Sequence, residues 1–448
     1  MEFLAAGRPG RWVALAVSLA LAHASAASVF RPTPGRLAPA TTDGVVALAV
    51  PGRANATPSM AAVGSLVAVV WSAADSAGAT DIYAAVSRNS GRAFGAPVRV
   101  NDVPGDARVN GEQPPHVAIH QGAQTVITVV WTTKGVKGTT LMQSRSDDGG
   151  RSFAHATLVP GTDAPGNRGW EAIASERSGR VDAVWLDHRG LALDTSMETS
   201  HRAHAAAGGS KPDGVAMAQK SRLYFAPLDG SASPTAITGG VCYCCKTALA
   251  SGSDGSIYAA WRHVYPGNLR DMAFTLSRDG GRTFASPIRV SEDKWMLEGC
   301  PDDGPAMALD GQNRVHLAWP TLVAGSDGAE ANIGIFYASS ADARKFSARE
   351  RLPTEGTPHH PRVTVTGGAL VVAWDELHDG ARRIVVAQRP LAATKGSFAR
   401  QVVSDDTPGI YPVVVSAQDG VLVAWTSGAP KSAIRVTRLP AGASGADR

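Results

Sequence analysis

Short apolar strands that end in tryptophan recur along the chain and set its organisation. A run of alternating or β-branched hydrophobic residues closes on a Trp seven times, with spacings of 60, 54, 76, 58, 55 and 51 residues. A short apolar strand precedes each Trp strand, a third strand follows it, and most copies add a fourth of the type Pro97-Val98-Arg99-Val100. Four short antiparallel strands per unit predict the blades of a β-propeller. The seven residues are Trp71, Trp131, Trp185, Trp261, Trp319, Trp374 and Trp425.

The repeat predicts an all-β fold, a single propeller of seven four-stranded antiparallel blades, or six if the terminal units merge. The last unit runs out after its third strand, Ile434-Arg435-Val436-Thr437. The N-terminal run from Val45 to Val50 has strand composition and can supply the missing fourth strand. We expect this closure because it removes exposed strand edges.

A second motif lies between the third and fourth strands of several units. Ser146–Phe153 and Ser277–Phe284 both fit S-x-D-x-G-x-x-F, and Ser87–Phe94 fits with Asn89 in place of Asp. Ser339–Phe346 is a degenerate copy with Ala at the Asp and Gly places. The Asp side chain can accept hydrogen bonds from turn N–H groups, Gly can take a positive φ, and the aromatic ring can pack under the hairpin. The motif is therefore interpreted as a folding device.

These residues together resemble the Asp-box, or BNR, β-propellers of the sialidase superfamily. The resemblance covers essentially the whole chain after its N-terminal segment. It implies a propeller whose ligand site lies at one mouth of the central channel. It does not by itself imply sialidase activity, because folds and functions separate easily.

Most unusual ionisable residues fall in segments that emerge at one end of such a propeller. These are the segments that lead into the innermost strands and those that follow the Trp strands. The first set holds Glu112, Trp170-Glu171, Cys242 to Thr247, Gly299 to Asp302, His359 to Arg362 and Tyr411. The second holds Asp187-His188-Arg189, Arg262-His263, Arg270-Asp271, Asp375-Glu376 and His378. An insertion over residues 190–220, which accounts for the spacing of 76, is predicted to lie over the same mouth as a lid.

All four cysteines lie in two of these segments, in neighbouring blades. Cys242, Cys244 and Cys245 lead into the fourth blade and Cys300 into the fifth. Three interpretations remain open: two disulfides, a soft-metal site for copper or zinc, or a redox-active pair. His188, His263, His359 and His360 are candidate additional ligands. The leading hypothesis is an exported binding protein with a cysteine-centred metal or redox site, in which Cys300 reaches at least one of the other three.

The alternative hypothesis is a glycoside hydrolase of exo-sialidase type, and a third is a scaffold that only binds partners. The family resemblance implies a nucleophilic Tyr paired with Glu, three arginines that grip a carboxylate, and an Asp acid. Tyr411 matches the place of the Tyr, Glu171 or Glu376 could activate it, and the candidate arginines are Arg262, Arg270 and Arg362. The chain departs from the family at Phe30-Arg31-Pro32, where the expected motif is incomplete, and in the cysteine segments.

The N-terminus has the pattern of a secretory signal peptide. Arg8 and Arg11 precede an apolar run from Trp12 to Ala22, and Ala24-Ser25-Ala26 is a small-residue cleavage pattern. We therefore expect residues 1–26 to be removed and the propeller, residues 27–448, to be periplasmic or secreted.

Composition excludes other classes of protein. The formal net charge is +4 and no Lys/Arg-rich block occurs, so we expect no nucleic-acid partner. After residue 26 no segment approaches about 18 consecutive apolar residues, so no membrane span is expected in the mature chain. The partner is expected to be a small ligand, a metal or a glycan.

Overall fold

The computed structural model describes residues 44–191, 214–297, 303–323, 331–393, 398–404, 407–418, 420–428 and 432–440. These residues form seven four-stranded antiparallel sheets, which confirms the seven-bladed propeller. In the described part of the chain, no helix is long and apolar enough to cross a membrane.

The first four blades follow one another along the chain, each numbered from its innermost strand outward. Blade 1 is β2 (Ala54–Val63), β3 (Leu66–Ala74), β4 (Thr80–Ser87) and β5 (Val98–Arg99). Blade 2 is β6 (His116–Gln121), β7 (Thr125–Gly135), β8 (Gly138–Ser146) and β9 (Thr157–Leu158). Blade 3 is β10 (Arg168–Ser175), β11 (Val181–Asp187), β12 (Arg222–Pro227) and β13 (Thr235–Gly239). Blade 4 is β14 (Ala248–Ser251), β15 (Ile257–Tyr265), β16 (Leu269–Ser277) and β17 (Ile288–Arg289).

The remaining three blades close the ring. Blade 5 is β18 (Ala306–Leu309), β19 (Val315–Val323), β20 (Asn332–Ser340) and β21 (Glu350–Arg351). Blade 6 is β22 (Thr357–Thr366), β23 (Ala369–His378), β24 (Ala381–Pro390) and β25 (Ala399–Val402). Blade 7 is β26 (Gly409–Ala417), β27 (Gly420–Ser427) and β28 (Ala433–Leu439), with β1 (Val46–Leu48) as its outer strand.

The N-terminal strand closes the last blade, as predicted. β1 pairs antiparallel with β28, with Val46 opposite Val436 and Leu48 opposite Ile434. Leu48 is buried against a cluster that includes Trp71 of blade 1. The two ends of the described chain are therefore held in one sheet, and that sheet packs on its neighbour.

The seven repeated tryptophans form the core between blades. Each lies on the second strand of its blade and is at most 1% exposed. Burial of so large an apolar surface stabilises the contact between neighbouring sheets, because apolar area removed from water contributes about 25 cal/mol per Å². These residues therefore belong to the core.

The insertion after blade 3's second strand falls mostly outside the described residues. Its described end forms the helix α1, Gly214–Lys220, which buries Met217 and Ala218 against blades 3 and 4. The prediction of a lid over residues 190–220 is not tested by the described part.

Candidate functional site

Four innermost strands carry the same local distortion near the start of the strand. The pairing with the second strand shifts register in β2, β10, β22 and β26, so each contains a β-bulge. At each bulge a non-glycine residue has a positive φ of 53–57°, a conformation that side chains rarely adopt. The four residues are Thr57, Trp170, His360 and Tyr411. Bulges of this kind re-aim a side chain away from the sheet, and strained backbone of this kind is concentrated at functional sites.

His360 is the centre of a hydrogen-bonded charge network at the channel mouth, where the innermost strands begin. Its Nδ1 lies 2.5 Å from Asp375 Oδ1, and its Nε2 lies 2.9 Å from Glu112 Oε1. Its backbone N–H donates to Asp303 Oδ2 at 2.6 Å. Burial by itself lowers the pKa of His360, but the charges of Asp375 and Asp303 outweigh it and raise the pKa to about 9. His360 is therefore an imidazolium at neutral pH, held between carboxylates from blades 2 and 6.

Two further cations complete the network. Lys246 Nζ lies 3.1 Å from Glu112 Oε2 and 3.7 Å from Asp303 Oδ1. Arg382 donates to Asp375 Oδ2 at 2.5 Å. Although burial raises the pKa of both Glu112 and Asp375, their cationic neighbours hold those pKa values below the ordinary range. The carboxylates of the site are therefore ionised.

Tyr411 lies beside His360 on the neighbouring blade. The two ring centroids are 4.5 Å apart, and the backbone N–H of Tyr411 donates to Asp375 Oδ1 at 3.3 Å. The phenol ring passes directly over Gly111, where a Cβ would lie 2.3 Å from the Tyr411 oxygen. Burial, with the nearby charges of Glu112 and Asp375, raises the pKa of Tyr411 to about 12. Tyr411 thus keeps its proton at neutral pH, and the lack of a side chain at residue 111 leaves room for it.

The three arginines named from the sequence do not converge on one point. Arg262 is buried between blades and donates to the backbone oxygens of Arg270, Asp303 and Pro320. Arg270 reaches Cys242. Arg362 lines the channel. Their assignment as a carboxylate-binding triad is not supported by this placement and stays a prediction.

The two glutamates proposed to activate Tyr411 face elsewhere. Glu171 is buried, its pKa is raised by burial to about 7, and it accepts a hydrogen bond from Thr132 of blade 2. Glu376 accepts from Trp374 Nε1 at 3.0 Å and from Arg383 Nε at 2.9 Å. Glu112 is the glutamate whose charge acts on Tyr411.

The three cysteines before blade 4 lie together, as predicted. The Sγ atoms of Cys242, Cys244 and Cys245 are buried and lie within 4.8 Å of one another. Cys244 is bonded in a disulfide, whereas Cys242 and Cys245 are thiols. With Cys244 reduced, the three sulfurs would form a group that could hold a metal ion. Cys300 lies outside the described residues, so its predicted approach is not tested.

The positive charge of Arg270 acts on the cysteine cluster. Its Nη1 lies 3.4 Å from Cys242 Sγ, and Cys242 Sγ lies 4.0 Å from Cys244 Sγ. Burial raises the pKa of the Cys242 thiol, but a hydrogen bond with Cys245 and the charges of Arg270 and Arg262 outweigh it and lower the pKa to about 6. Cys242 is therefore largely a thiolate at neutral pH, the form that binds metals and attacks disulfides.

The histidines named as candidate ligands lie in different places. His263 packs on Tyr265, with ring centroids 4.7 Å apart, and burial lowers its pKa to about 4. His188 is buried beside Trp170, with ring centroids 5.7 Å apart. His359 packs against His360 in the charge network. Among the described residues, the group of potential ligand atoms contains the three cysteine sulfurs and no histidine nitrogen.

The full charge network is not evident from the sequence. The sequence places Glu112 and Asp375 at the mouth without a role, and it does not single out Asp303 or Arg382. One signal for the two central residues exists in the sequence: His360 and Tyr411 are each followed by Pro inside an apolar strand. Pro within a sheet is confined to edges and bulges, and an innermost strand is an edge strand, so these X-Pro pairs are compatible with a bulge without requiring one.

The fold is shared with solved propellers that include glycan-acting enzymes. A polysaccharide lyase, an ulvanlyase bound to -[GlcA(1-4)Rha3S]-, has a TM-score of 0.53 at 10% identity, over 87% of this chain and 95% of that one. The polysaccharide lyase Uly1 has a TM-score of 0.52 at 11% identity, over 85% and 89%. A Hadza microbial sialidase has a TM-score of 0.45 at 12% identity, over 80% and 73%. No model of a known protein family and no curated protein matches the sequence. At these identities the likeness concerns the fold alone.

Proposed function

We propose that this protein cleaves a glycan at the channel mouth, with Tyr411 as a proton donor and the His360 imidazolium beside it as the cation that stabilises developing negative charge. The observation that carries the proposal is the placement of these two side chains on strained bulges of neighbouring blades, with ring centroids 4.5 Å apart. Cleavage of a glycosidic link needs a group that moves a proton to or from the reacting atoms. A phenol and an imidazolium in contact, within an ionised network, are suited to that task.

The charge states favour these two residues over the carboxylates as proton carriers. A hydrolase that uses two carboxyl groups keeps one of them protonated, with a raised pKa. Glu112 and Asp375 have lowered pKa values and are paired with cations. Tyr411, with a pKa of about 12, and His360, with a pKa of about 9, both hold protons at neutral pH.

The substrate class to test first is a polysaccharide that contains uronic acid. Two solved propellers of this fold are named as polysaccharide lyases. In an elimination, a base removes the proton on the carbon α to the carboxylate, the C–O bond to the leaving sugar breaks, and that oxygen takes a proton. The imidazolium of His360 could stabilise the developing negative charge, because a preorganised cation stabilises charge that forms in the transition state. Tyr411, which holds its proton, is then the acid that protonates the leaving oxygen. Burial lowers the pKa of His359, which packs against His360, so His359 is a neutral imidazole that can take the proton from the carbon as the base.

The experiment is a cleavage assay on neutral, uronate-containing, sulfated and sialylated glycans. Reducing ends measure any cleavage, and ultraviolet absorbance of the new C=C bond separates elimination from hydrolysis. We expect Tyr411→Phe to lower turnover by roughly 10²-fold or more, since general acid–base groups contribute about 10²–10⁴-fold. Tyr265→Phe is the matched control, because burial also raises the pKa of Tyr265 to about 12 but that residue lies beneath Arg289 on blade 4.

Two results would contradict the proposal. One is wild-type protein that cleaves none of these glycans, and the other is a Tyr411→Phe variant that retains the wild-type rate. Hydrolysis of a sialoside, without activity on uronate polysaccharides, would instead support the sialidase alternative with Glu112 as the partner of Tyr411.

A second candidate function is soft-metal binding at the cysteine cluster, supported by the three sulfurs within 4.8 Å of one another. A disulfide sulfur is not a thiolate, so Cys244 can become a thiolate ligand only after reduction. We therefore propose that reduced protein binds Cu(I) or Zn²⁺ in about 1:1 ratio with release of thiol protons, as thiolate ligation requires. Metal analysis and thiol titration before and after reduction test this, and equal metal content in wild type and Cys242→Ser would refute it.

We also propose that the chain is exported. The proposal is supported by the charged, apolar and small-residue order of residues 1–26. Mass determination of protein recovered from the periplasm or medium tests it, and an intact N-terminus on protein kept inside the cell would contradict it.

A further inference from the structure

Arg362 differs from the other cations near the mouth because no described residue accepts a hydrogen bond from it. Lys246 pairs with Glu112 and Asp303, and His360 and Arg382 both pair with Asp375. By contrast, the Nε atom of Arg362 is buried without a partner among the described residues. Burial lowers the pKa of Arg362 although the charges of Asp303 and Glu112 act on it in the opposite direction, so its charge is only partly compensated. A hydrogen-bonded anion would compensate it further.

The channel below the mouth offers a space for a neutralising group. A cavity of about 240 Å³ is enclosed by the seven innermost strands. Arg362 and His116 line it together with small or apolar side chains, among them Ala172, Ala306 and Val413. Ligand pockets for small molecules have volumes of about 300–1,000 Å³. At about 30 Å³ per water, this cavity has room for roughly eight waters, and therefore for a small ion with part of its hydration shell.

His116 lies in the field of the same charge. Burial, followed by the charges of Arg362 and Lys246, lowers the pKa of His116 to about 3. The imidazole is therefore neutral at neutral pH and can donate one N–H to an anion beside Arg362. The wall of the channel thus combines a charged donor with a neutral donor.

We propose that the central channel binds a small oxyanion on Arg362, of the carboxylate, phosphate or sulfate class. Nε and one terminal nitrogen of a guanidinium form a planar fork that matches two oxygens of such an anion. The site is distinct from the pair Tyr411 and His360, and it does not depend on glycan cleavage. The anion has two possible sources, a free ion or the carboxylate of a bound sugar acid, and the titrations below distinguish them.

Thermal unfolding and calorimetric titration with acetate, phosphate and sulfate test the proposal at constant ionic strength. We expect saturable binding to wild-type protein, and binding at least roughly tenfold weaker to Arg362→Met, since a hydrogen bond to a charged group contributes about 1.5–3 kcal/mol. Arg344→Met is the control, because Arg344 is exposed and lies in the turn after β20. The control matters because sulfate and phosphate stabilise any folded protein by exclusion from its surface.

Arg362→Lys keeps the charge but loses the fork, and it covers the case in which Arg362→Met does not fold. We expect it to bind oxyanions more weakly than wild type. Sulfate binding to wild-type protein should also raise the NMR-measured pKa of His116, because sulfate offsets the charge of Arg362 and stays anionic throughout the titration.

Three results would overturn the proposal: no saturable response of the wild type to any of the anions, an equal response in Arg362→Met and Arg344→Met, or an unchanged pKa of His116 at saturation. Binding of a glucuronate oligosaccharide that needs Arg362, without binding of free ions, would also overturn it by assigning Arg362 to a glycan. The activity of Tyr411→Phe tests only the proposed glycan cleavage, and the Arg362 variants test only anion binding. One proposal can therefore be refuted without the other.

Discussion

The candidate site contains two residues with strained backbone, His360 from blade 6 and Tyr411 from blade 7. Each has a positive φ at a bulge of an innermost strand, and each is followed by Pro. Pro has no N–H to place in the sheet ladder, so it is tolerated where the bulge interrupts pairing. Thr57, followed by Pro58, has the same arrangement in blade 1 but offers only a hydroxyl, which lies 2.9 Å from Ser72 Oγ. The bulge alone therefore does not make a site, and the side chains of His360 and Tyr411 distinguish their two bulges from that of Thr57.

The charge of His360 makes the stability of the protein depend on pH. Its folded pKa of about 9 lies above the ordinary value of 6.5, because Asp375 and Asp303 outweigh burial and the charge of Lys246. A raised histidine pKa contributes stability that is fully present below about pH 6.5 and is lost as pH rises through 9. Cys242, whose folded pKa of about 6 lies below its ordinary value, contributes in the opposite direction over the same range. We therefore expect the destabilisation caused by His360→Gln, measured by denaturant titration against wild type, to shrink as pH rises from 6.5 to 9.5.

His378 is a suitable control for this measurement. It is the last residue of β23 and is partly exposed, and its Nδ1 lies 3.3 Å from the backbone oxygen of Glu355. His378→Gln should keep the wild-type slope between pH 6.5 and 9.5. A slope that is the same in wild type and His360→Gln would show that His360 is not charged in the folded protein.

At the scale of elements, the S-x-D-x-G-x-x-F turn connects blades 1, 2 and 4 each to the preceding blade of the ring. Asp279 accepts a hydrogen bond from the Thr283 N–H at 2.9 Å, and the Ser277 hydroxyl oxygen accepts one from the Gly281 N–H at 2.9 Å. Carbonyl oxygens of these turns then accept from an arginine of the preceding blade. The pairs are Arg88 with Gly149, Arg180 with Gly280, and Arg438 with Ser90. The sequence predicted the turn, but not its contact with the neighbouring blade, because that contact joins residues up to 348 positions apart.

The second glycine of the turn is where this docking is tightest. Gly281 has a φ of +87°, and a Cβ there would lie 2.0 Å from Phe225 of blade 3. We expect Gly281→Ala to destabilise the protein by about 1–2 kcal/mol for the backbone and about 1–3 kcal/mol for the overpacking. Denaturant unfolding measures the sum.

The substitution Gly255→Ala separates the cost of backbone strain from the cost of overpacking. Gly255 has a φ of +79°, but no atom lies within 4 Å of the place that a Cβ would take, so Gly255→Ala should cost only the backbone strain, about 1–2 kcal/mol. Equal losses of unfolding free energy in the two variants would mean that Phe225 moves aside without a cost in stability. Phe225 is 1% exposed and packs edge-on against Phe284, with ring centroids 5.3 Å apart, which argues against such movement.

For the whole molecule, the sequence predicted the ring better than the site. The ring follows from a local pattern repeated seven times, and each Trp strand signals its own blade. The charge network joins Glu112, Lys246, Asp303, His360 and Tyr411, which come from five different blades. No spacing in the sequence encodes which side chains meet across a channel. The cysteine cluster was predictable where its members are neighbours in sequence, at residues 242–245.

Closure of the ring depends on one short strand, so the integrity of the whole molecule can be tested there. Leu48 of β1 is 6% exposed and packs in the core shared by blades 7 and 1, whereas its neighbour Ala47 faces solvent. Leu48→Asp would place a carboxylate in that core, and we expect it to lower the free energy of unfolding by at least about 3 kcal/mol. Ala47→Asp, on the other face of the same strand, should change it by no more than about 0.5 kcal/mol.

Release of β1 has a second consequence, because it leaves the edge of β28 unpaired. An unpaired edge is a template for association between chains. We therefore expect Leu48→Asp to form soluble oligomers in gel filtration at concentrations where the wild type and Ala47→Asp elute alike. A Leu48→Asp protein that keeps both the wild-type elution volume and the wild-type unfolding midpoint would mean that the seven blades hold together without their N-terminal strand. We expect the opposite, because β1 covers the edge of β28 with Val46 opposite Val436 and Leu48 opposite Ile434.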